Sequence, residues 1–173
     1  MTDILGRVIG PVKVLQLLLS YNCSRRSFNF HPAMLARFQA ELESRGVTKV
    51  HLRRANVLEL DQQLPSSWCN YDLIVSASML EYAASERLSQ ALSALGARLA
   101  QGGTLLVIIT RKNWITRALI ERLWQAARYS REELREAFSC AGFGSLIFRT
   151  FPLRYFWQNF SNYVVMATRR ENK

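Results

Sequence analysis

The stretch from Tyr71 to Thr110 constrains the fold most strongly, because it reads as strand, helix, strand. It opens with an apolar run at 71–78 and closes with another at 104–110. The residues that recur between them at the spacing of one helical face are Leu88, Leu92, Leu95 and Leu99. Gly102-Gly103 predicts the end of that helix, since glycine readily adopts the left-handed geometry of a helix terminus.

Both runs are apolar on successive residues rather than alternating with polar ones. This pattern is typical of strands that are buried on both faces, as in a parallel sheet covered by helices. We expect a right-handed crossover between the two strands.

The beginning of the chain leaves two alternatives open. Residues 4–10 read as a short strand ending at Gly10, with Pro11 at the first position of a helix over 12–21. Residues 12–19 are also apolar enough to be the strand itself, and periodicity does not separate short apolar runs of this kind.

Strands and helices alternate along the rest of the chain. The predicted strands lie at 27–30, 50–53, 146–148 and 163–168, and the predicted helices open at Pro32, Asn113 and Ser130, the last with a capping box. The gap 151–162 has room for no helix, so the final two strands should be antiparallel. The sum is an α/β doubly wound, mostly parallel sheet of about seven strands, the last one antiparallel, with helices on both faces.

Composition limits the class of protein. The 173 residues are 49% apolar, which is normal for a globular protein with a sizeable core. No apolar run approaches the ~20 residues of a membrane span, and the N-terminus lacks the pattern of a signal peptide. We therefore expect a cytoplasmic protein without a membrane partner. Three scattered cysteines and two histidines predict neither a disulfide framework nor a metal site.

The net charge of +10 leaves a nucleic-acid partner open. The basic residues are spread along the chain, however, and their longest runs are doublets such as Arg25-Arg26. This distribution favours a solvated basic surface over a dedicated groove. Either arrangement predicts a salt-sensitive affinity for polyanions.

Several segments together resemble the class I S-adenosylmethionine-dependent methyltransferases. The resemblance covers most of the chain, and the segments that carry it, in order, are 28–35, 55–60, 71–75 with 79–82, 99–105, and 129–134 through 141–143. It implies the seven-stranded family sheet over a single domain at 1–173. It also implies a cofactor, S-adenosylmethionine, bound at the carboxyl ends of the first strands.

The resemblance also implies which residues hold the cofactor. In the family, a glycine-rich loop approaches the methionine part, one acid binds the ribose and another binds the adenine amine. The matching positions in this chain, with those after the fourth strand, are Gly10, Asn29, Phe30, Asn56, Val57, Ser76, Ala77 and Ser78.

Three departures from the family pattern are visible. Only Gly10 stands where the family has its glycine run, and Asn29 and Asn56 replace the two acids. Because an amide oxygen accepts a weaker hydrogen bond than a carboxylate, the two exchanges cost about 1–3 kcal/mol of cofactor binding. The family also has residues before its first strand, and here that strand begins almost at Met1. We therefore expect a truncated or diverged member.

Several of the cofactor residues have a second, structural interpretation: Asn29 and Asn56 suit turns at strand ends, and Ser76 to Ser78 suit packing under a helix. The side chains expected to line the acceptor site are Glu81, Tyr82, Arg111, Asn113, Trp114 and Tyr155. The aromatic loop 151–157 could instead pack against the sheet edge, and we favour this for the loop. No residue is assigned a catalytic acid or base role.

The predicted function is methyl transfer from S-adenosylmethionine to a small or medium organic acceptor. In-line displacement at the methyl needs positioning and a desolvated site more than an acid or base. The alternative is a catalytically inactive module of the same fold that binds a protein or a polyanion. The acceptor and the oligomeric state are not indicated by the sequence.

Overall fold

The computed structural model describes residues 25–48, 50–112 and 127–170. The predicted strand at 4–10, the alternative at 12–19 and the helix predicted from Asn113 lie outside the described residues. The chain divides into two compact units, Met1–Ser66 and Ser67–Lys173.

The first unit contains a strand, helix, strand repeat. Strand β1 (Arg25–Asn29) is followed by helix α1 (Pro32–Ser44) and strand β2 (Val50–Arg54), and the two strands pair in parallel. Proline at the first turn favours the start of α1, and Gly46, at φ +63°, follows its end. A 3₁₀ turn (Val57–Glu59) and a short helix α2 (Leu60–Gln63) complete the unit.

The core of the first unit is small and apolar. Its buried side chains are Leu42, Ala55, Val57, Leu60 and Leu64. Leu42 comes from α1 and the others from the segment after β2, so this segment is held by burial of its own apolar residues.

The second unit contains a four-stranded mixed sheet. Its strands are β3 (Tyr71–Ala77), β4 (Leu99–Thr110), β5 (Phe143–Arg149) and β6 (Asn162–Arg169). Its helices are α3 (Leu88–Ala97), α4 (Arg131–Cys140) and α5 (Gln158–Ser161). The strand order is β3-β4-β6-β5, with β3 parallel to β4 and β6 antiparallel to both of its neighbours. The prediction that the final two strands are antiparallel is confirmed.

Four details of the predicted architecture change. The described residues contain six strands in two sheets rather than about seven, and the larger sheet is mixed rather than mostly parallel. The gap between the last two strands does hold helical turns, at Leu153–Tyr155 and Gln158–Ser161. Tight i→i+3 hydrogen bonds, such as that from the Phe156 amide to the Leu153 carbonyl, fit these turns into the short connection.

The fourth change concerns the end of α3. The helix ends at Ala97, and Leu99, expected on its apolar face, instead begins β4 and pairs with Tyr71. Gly103 lies where the register between β3 and β4 shifts, and a Cβ atom there would come within 2.7 Å of the Tyr71 carbonyl oxygen. The glycine is therefore required by close approach of two strand backbones, not by a helix terminus.

None of the helices in 25–48, 50–112 or 127–170 combines the length and apolar character that crossing a bilayer requires.

The close contact at Gly103 gives a stability prediction. Gly103→Ala should lower the free energy of unfolding by about 2 kcal/mol or more, because the new methyl group meets backbone atoms that cannot rotate away. Gly144→Ala is the matched control in β5, since the nearest atom there is the flexible Arg170 Cγ. Urea unfolding measures both, and equal losses for the two variants would contradict this explanation.

Candidate functional site

A pocket of about 420 Å³ lies in the first unit, where β1 and β2 end. The residues that line it are Phe30, Arg54, Ala55, Asn56, Glu59 and Gln63. Phe30 directly follows β1 and Asn56 follows β2, and the carboxyl ends of parallel strands meet at one edge of a sheet. The structure therefore brings together two of the residues that the sequence predicted for the cofactor.

The pocket combines an aromatic ring with polar groups. The Phe30 side chain is 45% exposed, and the Arg54 guanidinium donates a hydrogen bond to the Phe30 carbonyl oxygen at 3.2 Å. The backbone N–H of Asn56 donates to Gln63 Oε1 at 2.6 Å, and Gln63 Nε2 donates to Glu59 Oε2 at 2.5 Å. An exposed ring beside hydrogen-bonding groups suits a flat, polar ligand.

The two predicted asparagines also make local hydrogen bonds. Asn29 Oδ1 accepts from the His31 amide at 2.8 Å, and Asn56 Oδ1 accepts from the Leu58 amide at 3.1 Å as the N-cap of the 3₁₀ turn. The structural role considered for both residues is thus present. An amide oxygen has two lone pairs, so neither interaction exhausts its capacity to accept.

The remaining residues of the pocket region divide into two groups. Val57 is 7% exposed and belongs to the core of the first unit, so its side chain is not among the pocket's lining residues. Arg54, Glu59 and Gln63 were not predicted from the sequence. The i, i+4 spacing of Glu59 and Gln63 was a usable signal, since such residues are neighbours on a helical surface.

In the second unit, the carboxyl end of β3 holds Ser76, Ala77 and Ser78. The Ser76 side chain is 4% exposed, and its Oγ has no hydrogen-bond partner within the described part of the chain. Ser78 has φ +48°, which is strained for a residue other than glycine, and its amide donates to the Ile108 carbonyl oxygen at 2.9 Å. An orphan hydroxyl and a strained backbone at one strand end are features of binding sites.

Glu81 is a buried carboxylate that supports the end of β4. Its side chain is 6% exposed, and Oε1 accepts from the Thr110 amide at 2.8 Å. Burial raises the pKa of the Glu81 carboxyl, while hydrogen bonds from Thr110 and Ser78 act in the opposite direction. Glu81 therefore holds the backbone where the acceptor site was predicted, whereas Tyr82 beside it is 57% exposed.

Two further predicted acceptor residues are described. The Arg111 amide donates to the Ser161 carbonyl oxygen at 2.9 Å, and its guanidinium lies 4.4 Å from the Tyr163 ring centroid. Tyr155 packs edge to face with Trp157 at 5.9 Å between centroids. Asn113 and Trp114, like Gly10, lie outside the described residues.

The packing of the aromatic loop against the sheet edge, favoured from the sequence, does not hold for three of its apolar side chains. Leu153 is 93% exposed and Trp157 is 53% exposed, with Phe156 similar, whereas Phe151 and Tyr155 are half-buried. Within the described residues no group of three or more His, Cys, Asp or Glu side chains could hold a metal ion.

Comparison with solved structures identifies the fold. PigF with SAH matches with a TM-score of 0.72 at 17% identity, over 91% of this chain and 47% of that chain. The S-adenosylmethionine-dependent methyltransferase SibL in its apo form matches with a TM-score of 0.69 at 15% identity, over 92% and 48%. Geranyl diphosphate methyltransferase in complex with GPP and sinefungin gives a TM-score of 0.67 at 12% identity, over 90% and 67%.

No protein-family model matches the sequence, and the search of curated proteins found no match. The chain spans about half, or somewhat less, of the length of the first structures that it resembles, at 53%, 44% and 43%. At these identities the comparisons establish the fold alone. The fold is that of S-adenosylmethionine-dependent methyltransferases.

The environment of Glu81 predicts a pH dependence. Because the pKa of Glu81 is raised above its ordinary value of 4.5, the folded chain holds this proton more tightly than the unfolded chain. The stability that the protonated carboxyl contributes is complete below pH 4.5 and is lost as the pH rises through the raised pKa. Glu81→Gln abolishes this loss, so the free energy of unfolding of the variant minus that of the wild type should increase toward neutral pH.

Urea unfolding across this pH range measures the difference. Glu136→Gln, which removes an exposed carboxyl from the same unit, controls for the change in net charge. A difference for Glu81→Gln that stays constant or falls with rising pH would contradict the assigned environment.

Proposed function

We propose that this chain binds S-adenosylmethionine and transfers its methyl group to a small or medium organic acceptor. The observation that carries the proposal is the pocket at the carboxyl edge of β1 and β2, where Phe30 and Asn56 meet. These are positions to which the family resemblance assigns the adenosine part of the cofactor. The proposal keeps the expected cytoplasmic location.

The chemistry of the pocket fits a nucleoside. Adenine presents a flat aromatic face and an amine that donates hydrogen bonds, and ribose presents two hydroxyl groups. The exposed Phe30 ring offers a stacking surface, and Asn56, Glu59 and Gln63 carry side-chain oxygens that accept hydrogen bonds. The volume of about 420 Å³ lies within the range of small-molecule sites.

Glu59 offsets part of the expected loss of binding. The resemblance predicted that Asn29 and Asn56 replace the two acids that bind adenosine in the family. The structure supplies a carboxylate at the same pocket from Glu59, held by the Gln63 side chain at 2.5 Å. A charged acceptor contributes about 1.5–3 kcal/mol per hydrogen bond, against about 0.5–1.5 for a neutral one.

The bound cofactor supplies a methyl group on a positively charged sulfur, which a nucleophilic acceptor attacks in line. The residues of this chain would bind the adenosine and exclude water, so most of the rate enhancement comes from positioning. Ser76, Ala77 and Ser78 stay predicted cofactor contacts. Glu81, Tyr82, Arg111 and Tyr155 stay predicted to line the acceptor site, with Glu81 acting through the backbone of Thr110.

Calorimetric titration with S-adenosylmethionine and S-adenosylhomocysteine tests the proposal. Phe30→Ala should weaken binding about tenfold, since stacking on an aromatic ring contributes about 1–3 kcal/mol per base. Glu59→Gln should weaken it by a smaller factor, because the neutral amide still accepts a hydrogen bond. Met34→Ala, at an exposed position of α1 that does not line the pocket, should bind as the wild type does.

The same titration separates the proposal from its rival. Absence of heat with either ligand at millimolar concentration would overturn cofactor binding and leave the inactive module that binds a protein or a polyanion. Binding that Phe30→Ala leaves unchanged would show that the cofactor lies elsewhere.

A further inference from the structure

Residues 153–161, called here the rim segment, form a short helical run between β5 and β6. A 3₁₀ turn at Leu153–Tyr155 leads through Phe156 and Trp157, both with right-handed helical dihedral angles, into α5. Four large apolar side chains recur along it at the spacing i, i+3, i+4 and i+7. Their exposures are 93% for Leu153, 54% for Phe156, 53% for Trp157 and 52% for Phe160.

The polarity of the rim segment is inverted relative to an ordinary surface helix. Such a helix turns its apolar residues to the core and its polar residues to water. Here Gln158 is only 2% exposed, and Asn159 Oδ1 accepts from the Phe151 amide at 2.8 Å. The polar side chains therefore face the protein and the apolar ones face outward.

Hydrogen bonds hold the segment in this orientation. The Arg111 amide donates to the Ser161 carbonyl oxygen at 2.9 Å, and the Arg111 guanidinium donates to the Asn159 carbonyl oxygen. Asn162 Nδ2 donates to Gln158 Oε1 at 3.0 Å. These bonds fix the C-terminal half of the segment, residues 158–161, with its polar side chains turned to the protein. An exposed apolar patch held in this way marks an interaction site.

Several arginines lie near the rim segment, although Arg135 also pairs with Glu132 at 3.6 Å. Between Ala137 and Arg170 the sequence has four arginines and no acidic residue. Beside the segment, the Tyr163 ring has Arg111 at 4.4 Å and Arg131 at 5.6 Å, and the Phe148 ring has Arg131 at 5.2 Å and Arg135 at 5.3 Å. These two rings contact edge to face at 5.6 Å, so the three arginines gather at one place.

We propose that the rim segment docks on the surface of an anionic lipid bilayer. Exposed Leu, Phe and Trp side chains beside a group of arginines are the combination that binds such a surface, because the apolar groups enter the interface and the cations meet the headgroups. A second copy of this chain fits less well, since it would bring two basic patches together in a protein of net charge +10.

Peripheral docking of this kind needs no membrane-spanning helix. It revises the expectation, drawn from the absence of a long apolar run, that the chain has no membrane partner. It stands independently of the proposed methyl transfer, because no residue of the first-unit pocket takes part.

Cosedimentation of the full chain with lipid vesicles tests the proposal. The wild type should sediment with vesicles of equal parts phosphatidylcholine and phosphatidylglycerol and stay in solution with phosphatidylcholine alone. The double variant Phe156→Ser/Trp157→Ser should bind at least about tenfold more weakly, because it removes two large apolar side chains. Met34→Ser/Leu73→Ser, which changes two exposed apolar residues elsewhere, should bind as the wild type does.

A second pair of variants tests the contribution of charge. Arg131→Gln/Arg135→Gln should weaken binding to anionic vesicles about tenfold. Each basic residue near the surface contributes about 1 kcal/mol, and Arg135 contributes less because it already pairs with Glu132 at 3.6 Å. Arg37→Gln/Arg53→Gln changes the net charge equally at exposed positions of the first unit and should have a smaller effect.

Three outcomes would overturn the proposal. The first is absence of cosedimentation with anionic vesicles by a wild type that circular dichroism shows to be folded. The second is equal binding by the wild type and Phe156→Ser/Trp157→Ser. The third is a wild-type dimer in sedimentation velocity that Phe156→Ser/Trp157→Ser converts to a monomer, which would assign the patch to a second copy.

Discussion

The pairing of β4 on both of its edges is the constraint on which the second unit depends. Residues from Thr104 to Ile108 pair in parallel with β3 on one side and antiparallel with β6 on the other. The strand's end is fixed as well, because the Thr110 amide donates to Glu81 and the Thr110 carbonyl oxygen accepts from the Tyr129 amide. Arg111, the next residue, then holds the rim segment through Ser161. One buried strand thus positions a carboxylate, a basic group and an apolar surface.

In the first unit, too, paired strands position the residues that follow them. A parallel pair of strands ends at one edge, and the polar residues that follow each strand line a pocket there. In both units, the side chains that could bind a ligand lie after the strands. The strands and the buried leucines fix the positions of those side chains. This separation explains how a sequence without a family match can keep the methyltransferase fold.

The local elements were predictable because their signals lie in neighbouring residues. The capping box of Ser130 and Glu133 and the start of α1 at Pro32 are present as predicted. The predicted end of α3 was wrong. The spacing of Leu95 and Leu99 fits a helix, but backbone pairing of Leu99 with Tyr71 places Leu99 in β4. Arg54 and Glu59 join the pocket only through the fold of the segment after β2. No local pattern reveals that Asn159 bonds the Phe151 amide or that Leu153 is exposed.

The central claim is that the pocket beside Phe30 and Asn56 holds the adenosine part of a methyl donor. Hydrogen–deuterium exchange with and without S-adenosylhomocysteine tests it most directly, because it reports where a ligand protects the backbone. The account predicts slower exchange at 29–31 and 55–59 and little change at 32–44, the helix α1. Unchanged exchange at both pocket segments under saturating ligand would contradict it.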